Sequence, residues 1–146
     1  MSFVIDSSVA LAWLLPDEGG QAADALADRL VSAPTVAPAI WPLEVANALM
    51  TARRRDRIAD RDVDRVVEVL FALPVDVEPP SGGDTLARVV AIARRHAITT
   101  YDAAYVELAK RRGWPLATLD APGQAGRVIE TVEKRFTVSG TPRVTL

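Results

Sequence analysis

Four acidic side chains stand at points where carboxylates from separate segments of one chain can be brought together. Asp6 closes the apolar run Phe3-Val4-Ile5, and Glu44 follows Pro42 at the start of an apolar-periodic stretch. Asp102 follows Thr99-Thr100-Tyr101, and Asp120 closes the run from Trp114 to Leu119. Crowded carboxylates repel one another and raise each other's pKa values, so such a cluster is stable chiefly when cations neutralise it. A hard divalent cation such as magnesium prefers oxygen ligands and keeps several waters, which suits acids with no histidine or cysteine among them. In phosphodiester hydrolysis, metal ions lower the pKa of a bound water and stabilise charge on the attacking and leaving oxygens; paired sites hold ions about 3.5–4 Å apart.

Each acid also has a purely structural reading. Asp102 lies three residues after Thr99, the spacing of a helix capping box. Glu44 in a first helical turn favours the helix dipole, and Asp120 can open the turn Asp120-Ala121-Pro122-Gly123. Asp6 is the least readily explained in this way, because a carboxylate between an apolar strand and a cap would sit half-buried and unpaired. Four acids reaching one rim of one sheet make a shared site the more economical reading.

The elements that must position them follow from periodicity. Phe3-Val4-Ile5 reads as a buried strand, Ser7-Ser8 as a serine cap, and Val9 to Leu15 as a short helix halted by Pro16. A second helix runs from about Gln21 to Leu30. Pro34 and Pro38 bracket a short apolar connection or strand edge, and Pro42 opens a third helix that continues into Arg53-Arg54-Arg55. Asp60 caps a fourth helix carrying Val63, Val66, Val67, Leu70 and Phe71 at helical spacing, ended by Pro74. Val75 to Glu78 alternates as a strand, and Pro79 to Gly83 forms a loop. Helix five spans about Asp84 to Arg95. Helix six spans about Tyr101 to Arg112 and is closed by Gly113. Trp114 to Asp120 reads as a further strand; beyond it, Gln124 to Arg135 is helix-prone and Arg143 to Leu146 strand-prone. Strands alternating with helices imply a mostly parallel sheet covered on both faces, with its site outside the carboxyl ends of the strands.

At 146 residues and 49% apolar, the chain fits a single domain over residues 1–146. Without cysteine, disulfides, thiolate nucleophiles and sulfur-ligated metals are excluded; a lone histidine, His96, excludes multi-histidine zinc. No apolar run reaches the roughly 18 residues of a spanning helix, and MSFVIDSS has no basic stretch before an apolar one. A soluble cytoplasmic protein with no membrane association is the expectation. The net charge of −2 excludes a uniformly basic nucleic-acid binder; if the substrate is a polyanion, bound divalent cations are the obvious candidates to neutralise it locally.

Val4 to Leu14, Trp41 to Leu49, Thr99 to Ala109 and Pro115 to Asp120 resemble, in that order, the successive motifs of PIN-domain ribonucleases. The likeness is closest to the VapC-type toxins of bacterial toxin–antitoxin pairs and spans about residues 3 to 120. It implies a PIN-like three-layer α/β/α sandwich and an endoribonuclease dependent on Mg2+ or Mn2+. By position, Asp6, Glu44, Asp102 and Asp120 match the family's acidic, metal-holding quartet. Ser8 matches a small hydroxyl that supports the first aspartate, and Thr118 stands in a similar supporting place. The resemblance further implies an RNA substrate, a VapB-like antitoxin covering the active-site groove, and a homodimer. The chain departs from the family pattern at residues 121–146, beginning with Ala121-Pro122-Gly123-Gln124-Ala125-Gly126.

Other residues weigh less. Arg53, Arg54, Arg55, Arg57, Arg61 and Arg65 are interleaved with Asp56, Asp60, Asp62 and Asp64, which reads as a solvated face with intrahelical ion pairs rather than an RNA grip. Lys110-Arg111-Arg112 complements a helix C-terminus, and His96 has a structural or surface role. Trp13, Leu14 and Leu15 belong partly to the core, with any exposed remainder suited to a partner. The alternative to catalysis is a silent PIN-like module that binds RNA or protein. An aspartyl-phosphate enzyme fits less well, since Ser8 stands two residues beyond Asp6 in place of a second aspartate.

Overall fold

Phe3, Val4 and Ile5 are β-prone and all buried, as strands covered on both faces must be. The computed structural model describes residues 2–119 and shows four short strands: β1 (Phe3–Ile5), β2 (Thr35–Ala37), β3 (Asp76–Val77) and β4 (Leu116–Ala117). Between them run six helices: α1 (Ser7–Leu14), α2 (Gln21–Ser32), α3 (Trp41–Arg54), α4 (Asp60–Ala72), α5 (Gly83–His96) and α6 (Thr100–Arg112). The helix and strand proposed beyond Asp120 lie outside the described residues.

All the pairings are parallel, in the order β3-β2-β1-β4. Val4 stands opposite both Val36 and Leu116, so β1 sits between β2 and β4. From β1 the chain steps outward to β2 and β3, then returns across the sheet to β4 on the other side of β1. Right-handed crossovers place the α5–α6 return on the opposite face from α1 to α4. The packing agrees: α1 packs on α2, α3 and α4, whereas α5 packs on α6, and α6 lies on β1 and β4. The result is a three-layer α/β/α sandwich.

The core forms where these layers meet. Ile5, Leu49, Leu108, Val4, Val9 and Val45 are its largest fully buried side chains, each contributing about 1.5–3 kcal/mol through burial. A second cluster, Val89, Ala93, Ile98, Ala103 and Val106, joins α5 to α6. Thr99 accepts the amide of Asp102 to start α6, and Gly113, at φ 65°, caps its end as expected.

Several expectations need correcting. The cap of α1 is not a serine: Asp6 is the N-cap, with its carboxylate accepting from the amides of Ser8 and Val9. Both serines lie inside the helix, because a strand-terminal carboxylate reaches the free amides one turn earlier. The segment between Pro34 and Pro38 is no sheet edge but the interior strand β2, wholly buried. Its flanking prolines lie outside the ladder, where a missing amide costs nothing. Ala59, not Asp60, holds the N-cap position of α4. The basic run pairs across elements instead: Arg53 of α3 with Asp60 of α4, and Arg57, between those helices, with Asp17 and Glu18 in the connection before α2. Leu15 is buried, whereas the half-buried Trp13 and Leu14 line an open groove with Ile58, Val66 and Val69. Among the described residues, no helix is long and apolar enough to cross a membrane.

Candidate active site

The strand order reverses between β1 and β4, and in open parallel sheets that switch point opens a crevice beyond the carboxyl ends of the strands. Asp6 follows β1 directly, and Thr118 and Leu119 follow β4. The two ends are laced together. The Asp6 amide donates to the Ala117 carbonyl at 3.2 Å. Ser8 Oγ donates to Asp6 Oδ1 at 2.6 Å and accepts the Leu119 amide at 2.8 Å. Thr118 Oγ1 lies 3.4 Å from the same hydroxyl, within a buried residue. Ser8 thus bridges the ends of β1 and β4 at the crevice, with Thr118 beside it.

A third element is tied in by Trp41, the first residue of α3. Its indole nitrogen donates to the Asp6 carbonyl at 3.1 Å. That contact sets the start of α3 beside the end of β1 and brings Glu44, one turn further, to the same rim. Pro42 suits this first turn, where the amide it lacks would have no intrahelical partner.

Glu44 accepts a hydrogen bond from the hydroxyl of Tyr105 on α6, 61 residues away in sequence. Tyr105 is 4% exposed. Burial pushes its hydroxyl well above the usual phenol range, and the bond to Glu44 and the charges of Glu44, Asp6 and Asp102 push it the same way. Of the predicted acids, Glu44 accepts this hydrogen bond, and Asp6 and Asp102 act on the same hydroxyl through their charge; the hydroxyl stays protonated and donates. The fourth, Asp120, lies outside the described residues.

Asp6, Glu44 and Asp102 each stand at the start of a helix, α1, α3 and α6, where the helix dipole presents partial positive charge. Among the described residues, no group of three or more histidine, cysteine or acidic side chains is close enough to hold a metal ion. By their chemistry, Asp6, Glu44 and Asp102 offer hard carboxylate oxygens, the kind that suits a hard divalent cation and not a soft metal.

Sequence reasoning missed three residues here. Tyr105 and Trp41 lie within the motif segments but carry no assigned role there, and nothing local reveals where a buried hydroxyl or indole finds its acceptor. Glu107, assigned no role from sequence, is 3% exposed and bonded to Arg88 of α5 and Arg111 of α6. Arg111 and Arg112 also grip Glu78 beside β3, and Arg112 lies over the Trp114 ring at 5.5 Å. The basic end of α6 therefore makes specific tertiary ion pairs rather than only complementing a dipole. His96 ends α5, with its imidazole pushed below its ordinary pKa by burial and then by Lys110 and Arg95.

A parallel α/β/α sandwich with acids at the switch point of its sheet defines the class of domain. The PIN domain model matches residues 3–122, and the chain belongs to that family. Ribonuclease VapC3 of Pyrobaculum aerophilum is 32% identical over 120 residues, covering 82% of this chain and 90% of the relative. A crystal structure from Pyrobaculum aerophilum superposes with a TM-score of 0.62 at 22% identity, covering 92% of this chain and 88% of its own. A toxin–antitoxin complex from Klebsiella pneumoniae contains a chain with a TM-score of 0.55 at 17% identity, covering 81% and 86%.

Proposed function

We propose that this chain is a metal-dependent endoribonuclease, the toxin of a toxin–antitoxin pair, and that Asp6, Glu44, Asp102 and Asp120 hold Mg2+ or Mn2+ against the RNA phosphodiester. The observation that carries this reading is the hydrogen bond from the buried Tyr105 hydroxyl, one helical turn beyond Asp102, to Glu44, beside the crevice where Ser8 holds Asp6 at the end of β1. Kinship with a VapC ribonuclease supplies the substrate class. When bound, the metal supplies local positive charge and lowers the pKa of a hydrolytic water.

The rest is the work of this chain's own side chains. Ser8 and the α1 amides hold the Asp6 carboxylate in one orientation, so it does not turn away when ligands exchange. Glu44 and Asp102 come from the first turns of α3 and α6. Helix amides at the rim favour the anionic phosphate. With a net charge of −2, the protein relies on this local arrangement rather than on a basic surface to hold RNA.

The reading takes residues 1–146 as one PIN-like unit working in the cytoplasm. It includes a VapB-like antitoxin, supported by the likeness to a chain from a toxin–antitoxin complex, and a homodimer. The test is cleavage of structured RNA by the purified chain with Mg2+ or Mn2+ and with neither. Cleavage that needs the metal and disappears in Asp6→Asn and Asp102→Asn supports the assignment. Variants that cut as well as the parent defeat it.

A further inference from the structure

Tyr105 fills a core position, yet it carries a hydroxyl that a core does not need. A buried hydroxyl without a partner costs free energy, so its partner is informative. That partner is the Glu44 carboxylate, on a helix 61 residues earlier. Tyr105 also lies one turn beyond Asp102 on α6, so both face the same side of that helix. One side chain thus joins the acid of α3 to the helix that carries the acid of α6.

We propose that Tyr105 is a positioning residue: its hydroxyl holds the Glu44 carboxylate in the orientation in which Glu44 and Asp102 together receive a divalent cation. This rests on the metal-dependent site proposed above. A glutamate has three side-chain torsions to restrain, and a rigid phenol on a packed helix restrains its far end directly. Partners that orient metal-binding carboxylates from behind change affinity or activity by about 10–100-fold when removed.

Calorimetric titration with Mn2+ alone, in the parent and in Tyr105→Phe, tests this without RNA. Phe keeps the ring that packs in the core and removes only the donor. The expected result is a Kd for Mn2+ raised about tenfold. The Mn2+ concentration for half-maximal cleavage should rise by the same factor, with KM for RNA unchanged. In a Glu44→Ala background the Tyr105→Phe change should matter by less than about twofold, because its effect passes through Glu44.

Equal Mn2+ affinity in parent and Tyr105→Phe overturns the proposal, as does the same loss with and without Glu44. A Tyr105→Phe chain that fails to fold also overturns it, since the hydroxyl would then serve the core. A parent that binds no Mn2+ defeats the metal site as a whole. A parent that binds it as well as Tyr105→Phe does defeats the role of Tyr105 alone.

Discussion

The Ser8 hydroxyl accepts the Leu119 amide at 2.8 Å across 111 residues of sequence, and so joins the end of β4 to the first turn of α1. The same oxygen donates to Asp6 at 2.6 Å. One small side chain thereby couples the register of two strands to the orientation of the carboxylate between them.

Ser8→Ala should therefore damage both stability and activity. It strips the Leu119 amide and the Asp6 carboxylate of a partner in a half-buried setting, at a cost of about 1–3 kcal/mol. Urea denaturation should show this loss, and metal-dependent cleavage should fall as well. Ser8→Thr should retain more of both than Ser8→Ala.

Asp6→Asn separates capping from chemistry. Asparagine caps helices about as well as aspartate, so stability should change by less than about 1 kcal/mol. Its amide is a poor substitute for a carboxylate on a hard cation, so cleavage should fall by more than about 100-fold, beyond the range of supporting residues. Thermal melting and RNA cleavage on one preparation read the two effects separately.

Chelation by EDTA should abolish cleavage, and Mg2+ or Mn2+ should restore it. Because a metal bound only to the folded chain stabilises it, unfolding free energy should rise by about 2.7 kcal/mol when free metal reaches a hundredfold over Kd. Melting curves recorded across a metal series would show a rising midpoint, and the slope should shrink in Asp102→Asn.

Glu78 should govern part of the acid limb of stability. Arg111 and then Arg112 hold its carboxyl below the ordinary value of 4.5. A carboxyl depressed in the folded state contributes stability that is fully present above its unfolded pKa. That contribution is lost as pH falls through the folded value. The parent should lose it on acidification below about pH 4.5, and Glu78→Gln should be less stable near neutrality with a shallower decline in acid. Denaturation at several pH values distinguishes the two curves.

Glu107 makes a sharper case because it is buried. Removing both of its arginines, in Arg88→Ala with Arg111→Ala, leaves an uncompensated buried charge, which costs about 3–5 kcal/mol. Each single change should cost less, Arg111→Ala the more of the two because it also releases Glu78. Denaturation of the two singles and the double measures the coupling.

Much of this molecule is legible locally. The types and places of Asp6, Glu44 and Asp102 at element ends, the proline opening α3 and the glycine closing α6 all follow from short-range propensity and spacing. Even where a local reading slipped, as in giving the cap of α1 to a serine, the error spans a residue or two. Asp6 can cap and still line a crevice because both tasks use a carboxylate at the start of a helix.

What sequence alone determined is the set of acids and the alternation of elements, because period and capping are written within a few neighbouring residues. Only tertiary structure decided that β2 lies inside the sheet, that β4 returns beside β1, and that Ser8 meets Leu119. It also decided that the Tyr105 hydroxyl meets Glu44 and that Glu107 is buried between two arginines. Those pairings join segments far apart in the chain. Which partner a buried donor finds depends on the order in which strands are laid down across the sheet, and no local pattern encodes that order.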